Sequence, residues 1–489
     1  MTVPTSARTD HLRARADPDG RIVRLSGGDL MQWRADVGPV PQHIAGLLHL
    51  GPTTLTVAEL VDHLSHRLAS AGSLARYPVD PPFGGGNPIW LGDDGPVGDH
   101  VRIENQVGHS DELILARATA LMSEPFPHGR APWAAHVLTD EDGIPIAVLV
   151  VLHHVLADGL SGVQLVTALT GPESAVVTGM SPGAPGLVLP ATMPSWPALA
   201  RDAWATRLRE VRGAPSATRS LAPALRELGV GRGTLAPRSI LNRRTGPWRR
   251  HATVAVPEAP LRTAARAAGG SLNDAVLTVL ADILAEHAAE RGEDLDPVVV
   301  SVPVAARHRG TGGKAGRADR AATNAVGVMP TPVPTGGPIT DRIAAVAAWR
   351  HARLDRDGAG ASLPLVLAAF RVVHALHLVR WFTDRQRLVT TFATALPGPA
   401  YPVALLGTPV TRITPLVLNQ GNTTIAFASI TYAGQLTIGI VADPTCGPDP
   451  VEVGHRLRER LLQLIPAGDQ RPSPAADTSG TRPSPSRHG

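Results

Sequence analysis

The chain is poor in aromatic residues, in lysine and in cysteine. Aromatics make up only 3% of its 489 residues, too few for the stacking platforms that hold single-stranded nucleic acid, and no nucleic-acid partner is expected. Lys314 is the only lysine, so nearly all the positive charge is arginine, and the net charge is just +4. That arginine excess points weakly to phosphates or anionic lipid surfaces, and equally to the compositional habit of an alanine- and arginine-rich chain. Cys446 is the single cysteine, which rules out an internal disulfide framework and fits a reducing, cytoplasmic setting. No uninterrupted apolar run reaches membrane-spanning length. The polar opening MTVPTSARTDHLRARADPDG lacks the apolar core of a secretory signal. Any membrane contact is therefore expected to be peripheral.

What is present is a globular composition, 43% apolar and 18% charged, on a chain too long for one ordinary core, so two domains are expected. Residues 1–22 read as a flexible lead-in and the Pro/Ser-rich 466–489 as a disordered tail. Between them, 23–172 and 248–465 each mix strands with helices, joined by a Gly/Pro/Ser-rich connection over 173–247. Thr56-x-x-Glu59 is a capping box before a helix with Leu60, Leu64 and Leu68 on one face. A second helix is expected over Asp111–Met122, and a strand over Ile144–Leu152. Another helix begins after Gly159, and one near Ser195–Val211 belongs to the crossover. In the second region HATVAV predicts a strand, Pro260–Ala268 a helix, and Ser271 caps a long helix with Asp274 at its third position. DPVVVSVPV reads as a buried strand, and TTIAFASITYAGQLTIGIVAD as a hairpin turning at Ala433-Gly434. The expected fold class is α/β, two similar α+β sandwiches packed together.

The stretch VLVVLHHVLADGLSG sets His153 and His154 at the tip of a greasy strand. Neighbours on a strand point to opposite faces, so the two rings do not readily share a metal ion, and no metal site is expected. Ser161 lacks the final glycine of a Gly-x-Ser-x-Gly elbow and Cys446 has no local signature, so no nucleophile is evident. A histidine base remains: one ring faces the core while the other faces a cleft and takes a proton from an attacking alcohol. Asp158 holds the local chain and Gly159 permits a tight turn into the next helix. The alternative is a strand end whose polar residues merely cap that helix, and the residues alone leave both readings open.

The run His153–Gly159 matches the HHxxxDG pattern of acyltransferases with the chloramphenicol-acetyltransferase-like fold, which non-ribosomal condensation domains share. In family order, RLSGGDLMQW, NPIWLGDD, HGRAPWAAHVL, SLNDAVL, VSVPVAAR, TNAVGVMPTPVPT and the run from LPGPAYPV to GIVAD resemble the bacterial wax ester synthase/diacylglycerol acyltransferase family over about Arg24 to Leu464. The resemblance implies two chloramphenicol-acetyltransferase-like domains with the active site at their interface. It implies His154 as general base, His153, Asp158 and Gly159 shaping the loop, and Asn273 reaching the site from the second domain. Trp133 would pack under the site, and Trp133 and Asp274 would contribute to substrate binding. The implied reaction moves a long acyl chain from acyl-CoA, a co-substrate, to diacylglycerol or a long-chain alcohol, with no cofactor and no obligate protein partner. The alternatives are another alcohol or natural-product acceptor, or a silent lipid-binding member. Ala131-Pro132, Thr323 and Ala395 depart from the family pattern.

Two further features bear on partners. The basic loop Arg307–Arg320 is a solvated loop or a contact for the phosphates of coenzyme A. Leu363–Phe382 reads as one helix, packed on the core or lying at a lipid interface of a membrane or lipid droplet.

Overall fold

The computed structural model describes residues 22–157, 159–171, 189–218, 235–305, 326–357 and 363–466. Asp158 and the basic loop Arg307–Arg320 lie outside them. The strands are β1 (His43–Leu50), β2 (Arg76–Val79), β3 (Ile89–Gly92), β4 (Val101–Glu104), β5 (Trp133–Thr139), β6 (Pro145–His153) and β7 (Arg250–Pro257). They continue with β8 (Val298–Ala305), β9 (Val326–Val333), β10 (Thr391–Pro397), β11 (Ala404–Leu405), β12 (Thr408–Val417), β13 (Ile425–Tyr432) and β14 (Gln435–Ala442). They form two six-stranded sheets, ordered β11-β12-β1-β6-β5-β4 and β7-β14-β13-β10-β8-β9, and the separate pair β2-β3. With helices packed on both sheets, the fold is a mixed α/β fold of two domains.

Sheet membership does not follow the expected division at 23–172 and 248–465. Residues 404–417 leave the second half and complete the first sheet, with Ile44 paired to Val417 and Leu48 to Ile413. β1 is thus flanked by β6 on one side and β12 on the other. Sequence patterning sets which face of β12 is apolar but not which of two sheet edges it joins, so the crossing was not legible. The return is tight. A side chain at Gly439 of β14 would stand 2.1 Å from the Pro415 carbonyl oxygen of β12, so only glycine lets these strands approach. Tyr432 of β13 adds a polar tie. Its hydroxyl accepts from the Val403 N–H at 2.9 Å and donates to the Val410 carbonyl at 2.8 Å.

The continuous apolar run of β6 is explained by burial on both faces. Val148, Val150 and Leu152 pack with Leu60, Leu64 and Leu68 of the helix Val57–Ala69 and with Leu165, Val166 and Leu169 of the helix Gly159–Thr170. The alternate residues Ala147, Leu149 and Val151 pack with Ile114, Ala118 and Met122 of the helix Asp111–Ser123. The period of two therefore aims His153 toward that second face. In the second half the helix Leu272–Ala289 buries Val276, Leu280, Ile283 and Leu284 against β8, β13 and β14.

The capping boxes at Thr56 and Ser271 form as expected. The hairpin turns at Ala433 and Gly434, both at positive φ. The crossover helix is longer than expected, Trp196–Thr218. Leu363–Phe382 is not one helix. It breaks into Leu363–Ala375 and Val379–Thr383. His377 takes φ 56°, and the N–H groups of His377 and Leu378 return to the carbonyls of His374 and Val373. This is the paired bonding of a Schellman motif, which ends a helix without glycine when a polar residue tolerates the left-handed region. Among the described residues no single helix is long and apolar enough to cross a membrane.

Three buried histidines stand at the seams. His43 Nδ1 donates to the Met122 carbonyl at 2.8 Å. On β1, His49 meets Thr414 Oγ1 of β12 at 3.2 Å. His251 of β7 joins the halves, with Nε2 donating to the Val417 carbonyl at 2.9 Å and Nδ1 2.8 Å from Thr119 Oγ1. Burial pushes all three down from 6.5 to about 4, with Arg412 adding to the effect at His49. Between those values the unfolded chain binds protons that the folded chain refuses. Stability from these groups is thus complete above pH 6.5 and is lost as pH falls toward 4, by on the order of 3 kcal/mol each at most. Asp93, Glu104, Asp111 and Asp443 are held below their ordinary values and add losses only at lower pH. We expect the urea midpoint to fall steadily from pH 7 to pH 5. A midpoint that does not move over that range would contradict the neutral burial of these rings.

Candidate active site

The strand β6 ends on His153 rather than Leu152, because His153 still pairs with His43 of β1. Its ring is almost fully buried, and its tautomer follows from its partners. The Val155 N–H donates to Nδ1 at 3.0 Å, so Nε2 carries the hydrogen and donates to Asp36 Oδ2 at 3.2 Å. Trp33 meets the ring edge-on, with centroids 5.4 Å apart. His153 is thereby occupied as an anchor.

His154 is the first residue of the turn that follows, and it is only half-buried. Its N–H donates to the Gln42 carbonyl at 2.8 Å. Val155, Leu156 and Ala157 plug the remainder of the turn into the core. The ring thus sits on a backbone held from both sides, by β1 through Gln42 and by the buried Val155–Ala157. The helix begins at Gly159 as expected.

The other expected site residues are placed as follows. Trp133 opens β5 opposite Leu152 and is buried. Its indole N–H donates to the Leu74 carbonyl at 3.0 Å, and its ring stacks on His100 at 4.4 Å. It packs beneath the strand end, with its indole N–H taken by Leu74. Asp274 is engaged within its own half. One carboxylate oxygen takes the Ser271 N–H and hydroxyl, the other takes Arg350 Nη1 at 2.5 Å, and the side chain is buried. Asn273 is half-buried at the start of the same helix, whose main contacts are with other helices and strands of the second half. The structure sets His153 and His154 side by side at the end of β6, and Asn273 and Asp274 in the first turn of the helix Leu272–Ala289.

Three residues escaped the sequence reading. Asp36 ends the helix Gly27–Ala35 and orients His153. Gln42 holds His154 by its carbonyl and offers its side-chain amide to Gln420 Oε1 at 3.3 Å. Gln420 comes from the loop joining β12 to β13 and donates in turn to the Val40 carbonyl at 2.8 Å. That loop is clamped in the interior. Arg249 donates to the Asn419 carbonyl, Asn422 Nδ2 donates to the Gln386 carbonyl, and a side chain at Gly421, φ 65°, would run into the Thr383 carbonyl oxygen at 2.5 Å. The one sequence signal was the polar run Asn419–Thr424 between two apolar strands, which reads as a solvent turn.

Comparison with known proteins agrees with this geometry. A family model for the wax ester synthase/diacylglycerol acyltransferase catalytic domain matches residues 25–276, and one for the C-terminal domain of the same family matches 322–464. A probable diacylglycerol O-acyltransferase of Mycobacterium tuberculosis H37Rv is 27% identical over 417 residues, 80% of this chain and 84% of the relative. Among solved structures, the wax ester synthase/diacylglycerol acyltransferase of Marinobacter aquaeolei VT8 superimposes with a TM-score of 0.60 at 19% identity, covering 90% of this chain and 98% of that one. The first condensation domain of the calcium-dependent antibiotic synthetase gives 0.61 at 17% identity, covering 92% and 98%. The fold is thus shared with condensation domains, and the two family models together span most of the sequence. The chain belongs to the wax ester synthase/diacylglycerol acyltransferase family and is an acyltransferase.

Proposed function

We propose that the chain moves a long acyl chain from acyl-CoA to the hydroxyl of diacylglycerol or a long-chain alcohol, with His154 as the general base. The observation that carries this is the division of labour between the adjacent histidines: His153 is spent on Asp36 and the Val155 N–H, while His154 stands half-buried on the turn beside it. His154 takes the hydroxyl proton as the oxygen attacks the thioester carbon, then returns it to the departing thiolate. Relatives at 23–27% identity named diacylglycerol O-acyltransferases support the acceptor. A starter condensation domain of the same fold, solved with C8-CoA, supports the donor. The residues call for no cofactor beyond the co-substrate. Burial pushes the Cys446 thiol up, away from the thiolate a covalent route would use.

Both substrates should then occupy the site together. Initial-rate plots against acyl-CoA at several acceptor concentrations are expected to intersect, with products separated by lipid class. His154→Ala should lower kcat at least about a hundredfold with the fold intact, whereas His153→Ala should reduce folded yield. Parallel lines with a trapped acyl-protein, or near-normal turnover by His154→Ala, would contradict direct attack.

Gln420 acts as a positioning residue through Gln42. Gln420→Ala is expected to lower kcat about tenfold, leaving the KM for acyl-CoA and the melting temperature near wild type, because one misplaced backbone segment moves the base without emptying the substrate site. Gln420→Glu keeps the acceptor for Gln42 and should recover part of kcat. A loss confined to KM or to melting temperature would reject this role.

The substrates are apolar, and we propose that the protein works in the cytoplasm at a lipid surface. Val372, Leu376, Leu378, Trp381 and Phe382 are exposed around the helix break, beside Arg371, Arg380 and Arg385. The other side of Leu363–Ala375 meets the helix Gly27–Ala35, where Leu367 lies against Gly27. Apolar tips flanked by arginine suit an anionic interface. Flotation with liposomes should rise with anionic lipid, weaken with salt, and fall for Trp381→Ser with Phe382→Ser. Indifference to lipid composition would remove this surface from the reading.

A further inference from the structure

The helix Trp196–Thr218 packs by one stripe only. Leu199 and Ala203 are buried, and Asp202 beside them pairs with Arg24 at 2.6 Å. The period of 3.6 carries Pro197, Trp204 and Leu208 round to the other side. There Trp204 is 70% exposed and Leu208 50%, on a face where a surface helix ordinarily carries polar residues. Arg201 and Arg207 flank this apolar stripe, with Arg209 farther round, and all three are exposed. Arg201 Nε donates to the Pro197 carbonyl at 3.3 Å. Arg209 donates to the Ala205 carbonyl at 3.3 Å and to Thr206 Oγ1 at 3.0 Å. Among the described residues none of the three pairs with a carboxylate.

Phe83 stands at the start of this helix with its ring fully exposed, on a loop that is itself held. The Trp196 indole N–H donates to the Phe83 carbonyl at 3.0 Å, and the Gly85 N–H to the Pro82 carbonyl at 2.8 Å. Gly84 and Gly86 take φ 85° and 87°, a backbone that a side chain would strain. The phenyl is thus displayed on a fixed backbone and contributes nothing to the core.

Charge and continuity choose the partner for this face. A second copy docked face to face would set these arginines against their own counterparts, like charge against like. Anionic headgroups neutralise them, and indole rings suit the level where headgroups meet acyl chains. The helix also lines a pocket of about 390 Å³ through Ala203, Thr206 and Arg207, together with Arg24, Phe83 and, from the helix Leu363–Ala375, Arg371. The apolar stripe and the exposed side chains of the helix break at His377 therefore belong to helices that border one depression. We propose that the outer face of the helix Trp196–Thr218, with Phe83, is a second foothold on an anionic lipid surface. The proposal rests on the lipid-surface reading above and adds which face of the molecule turns to the lipid. One small apolar contact binds lipid reversibly and weakly, whereas two joined contacts multiply affinity and fix orientation.

The test uses the full chain and co-sedimentation with phosphatidylcholine vesicles, with and without phosphatidylglycerol. Trp204→Ser with Leu208→Ser is expected to lower partitioning onto phosphatidylglycerol vesicles at least about tenfold, at an unchanged melting temperature. Arg201→Gln with Arg207→Gln should lower it about fivefold per arginine at low salt. A polarity-sensitive fluorophore on Leu208→Cys, in a Cys446→Ala chain, should shift to the blue on the anionic vesicles. Unchanged partitioning of the Trp204 and Leu208 variant, with no blue shift, would overturn the proposal. If only Trp381→Ser with Phe382→Ser lost binding, the lipid-surface reading would stand and this foothold would fall. If only the Trp204 and Leu208 variant lost it, the foothold would stand and the helix-break surface would fall. Self-association of the wild type that Trp204→Ser with Leu208→Ser abolishes, at unchanged vesicle binding, would assign the face to a second copy and overturn the proposal.

Discussion

The pairing of β12 with β1 is the contact on which the rest of the molecule depends. It takes a strand from late in the chain, sets it beside the strand that enters the first sheet, and so makes the two halves share one hydrogen-bonded ladder. Ladder bonds left unpaired in the interior would each carry a desolvation cost, so the halves do not separate without exposing or orphaning them. The same excursion forces the chain back through the interior at Leu418–Asn422, where a polar loop hydrogen-bonds with Arg249, Asn242 and Gln386.

That return loop ties the second half to the turn that carries His154. Gln420 reaches Val40 and Gln42, and Gln42 holds the backbone of His154. On the opposite side, Asp36 and the Val155 N–H fix the ring of His153. His154 therefore sits where three separately encoded segments meet: the end of the first helix, the tip of β6 and the β12–β13 loop. Preorganisation of this kind comes from backbone held on several sides.

Much of the local structure was legible because its cause is local. The Thr56 and Ser271 capping boxes, the double-faced apolar run of β6 and the turn at Ala433-Gly434 each follow from residues within a few positions of one another. The histidine pair was legible for the same reason, since the period of two requires adjacent rings to face apart. The break at His377 was not, because it depends on a polar residue accepting a left-handed backbone, which no neighbour demands. Asp274 was legible in part. Its capping role was visible, but its second oxygen is taken by Arg350, distant in sequence.

The sequence by itself determined the elements, the apolar face of each, and the adjacent histidine pair at the tip of β6, since propensity, periodicity and capping act over a handful of residues. Only the tertiary structure decided which sheet β12 joins, that Asp36 and Gln420 serve the two histidines, and that Arg24, Arg207, Arg371 and Phe83 surround one pocket. Those outcomes depend on which surfaces bury each other and on where polar groups find partners once water is gone, and residues separated by hundreds of positions carry no local mark of either.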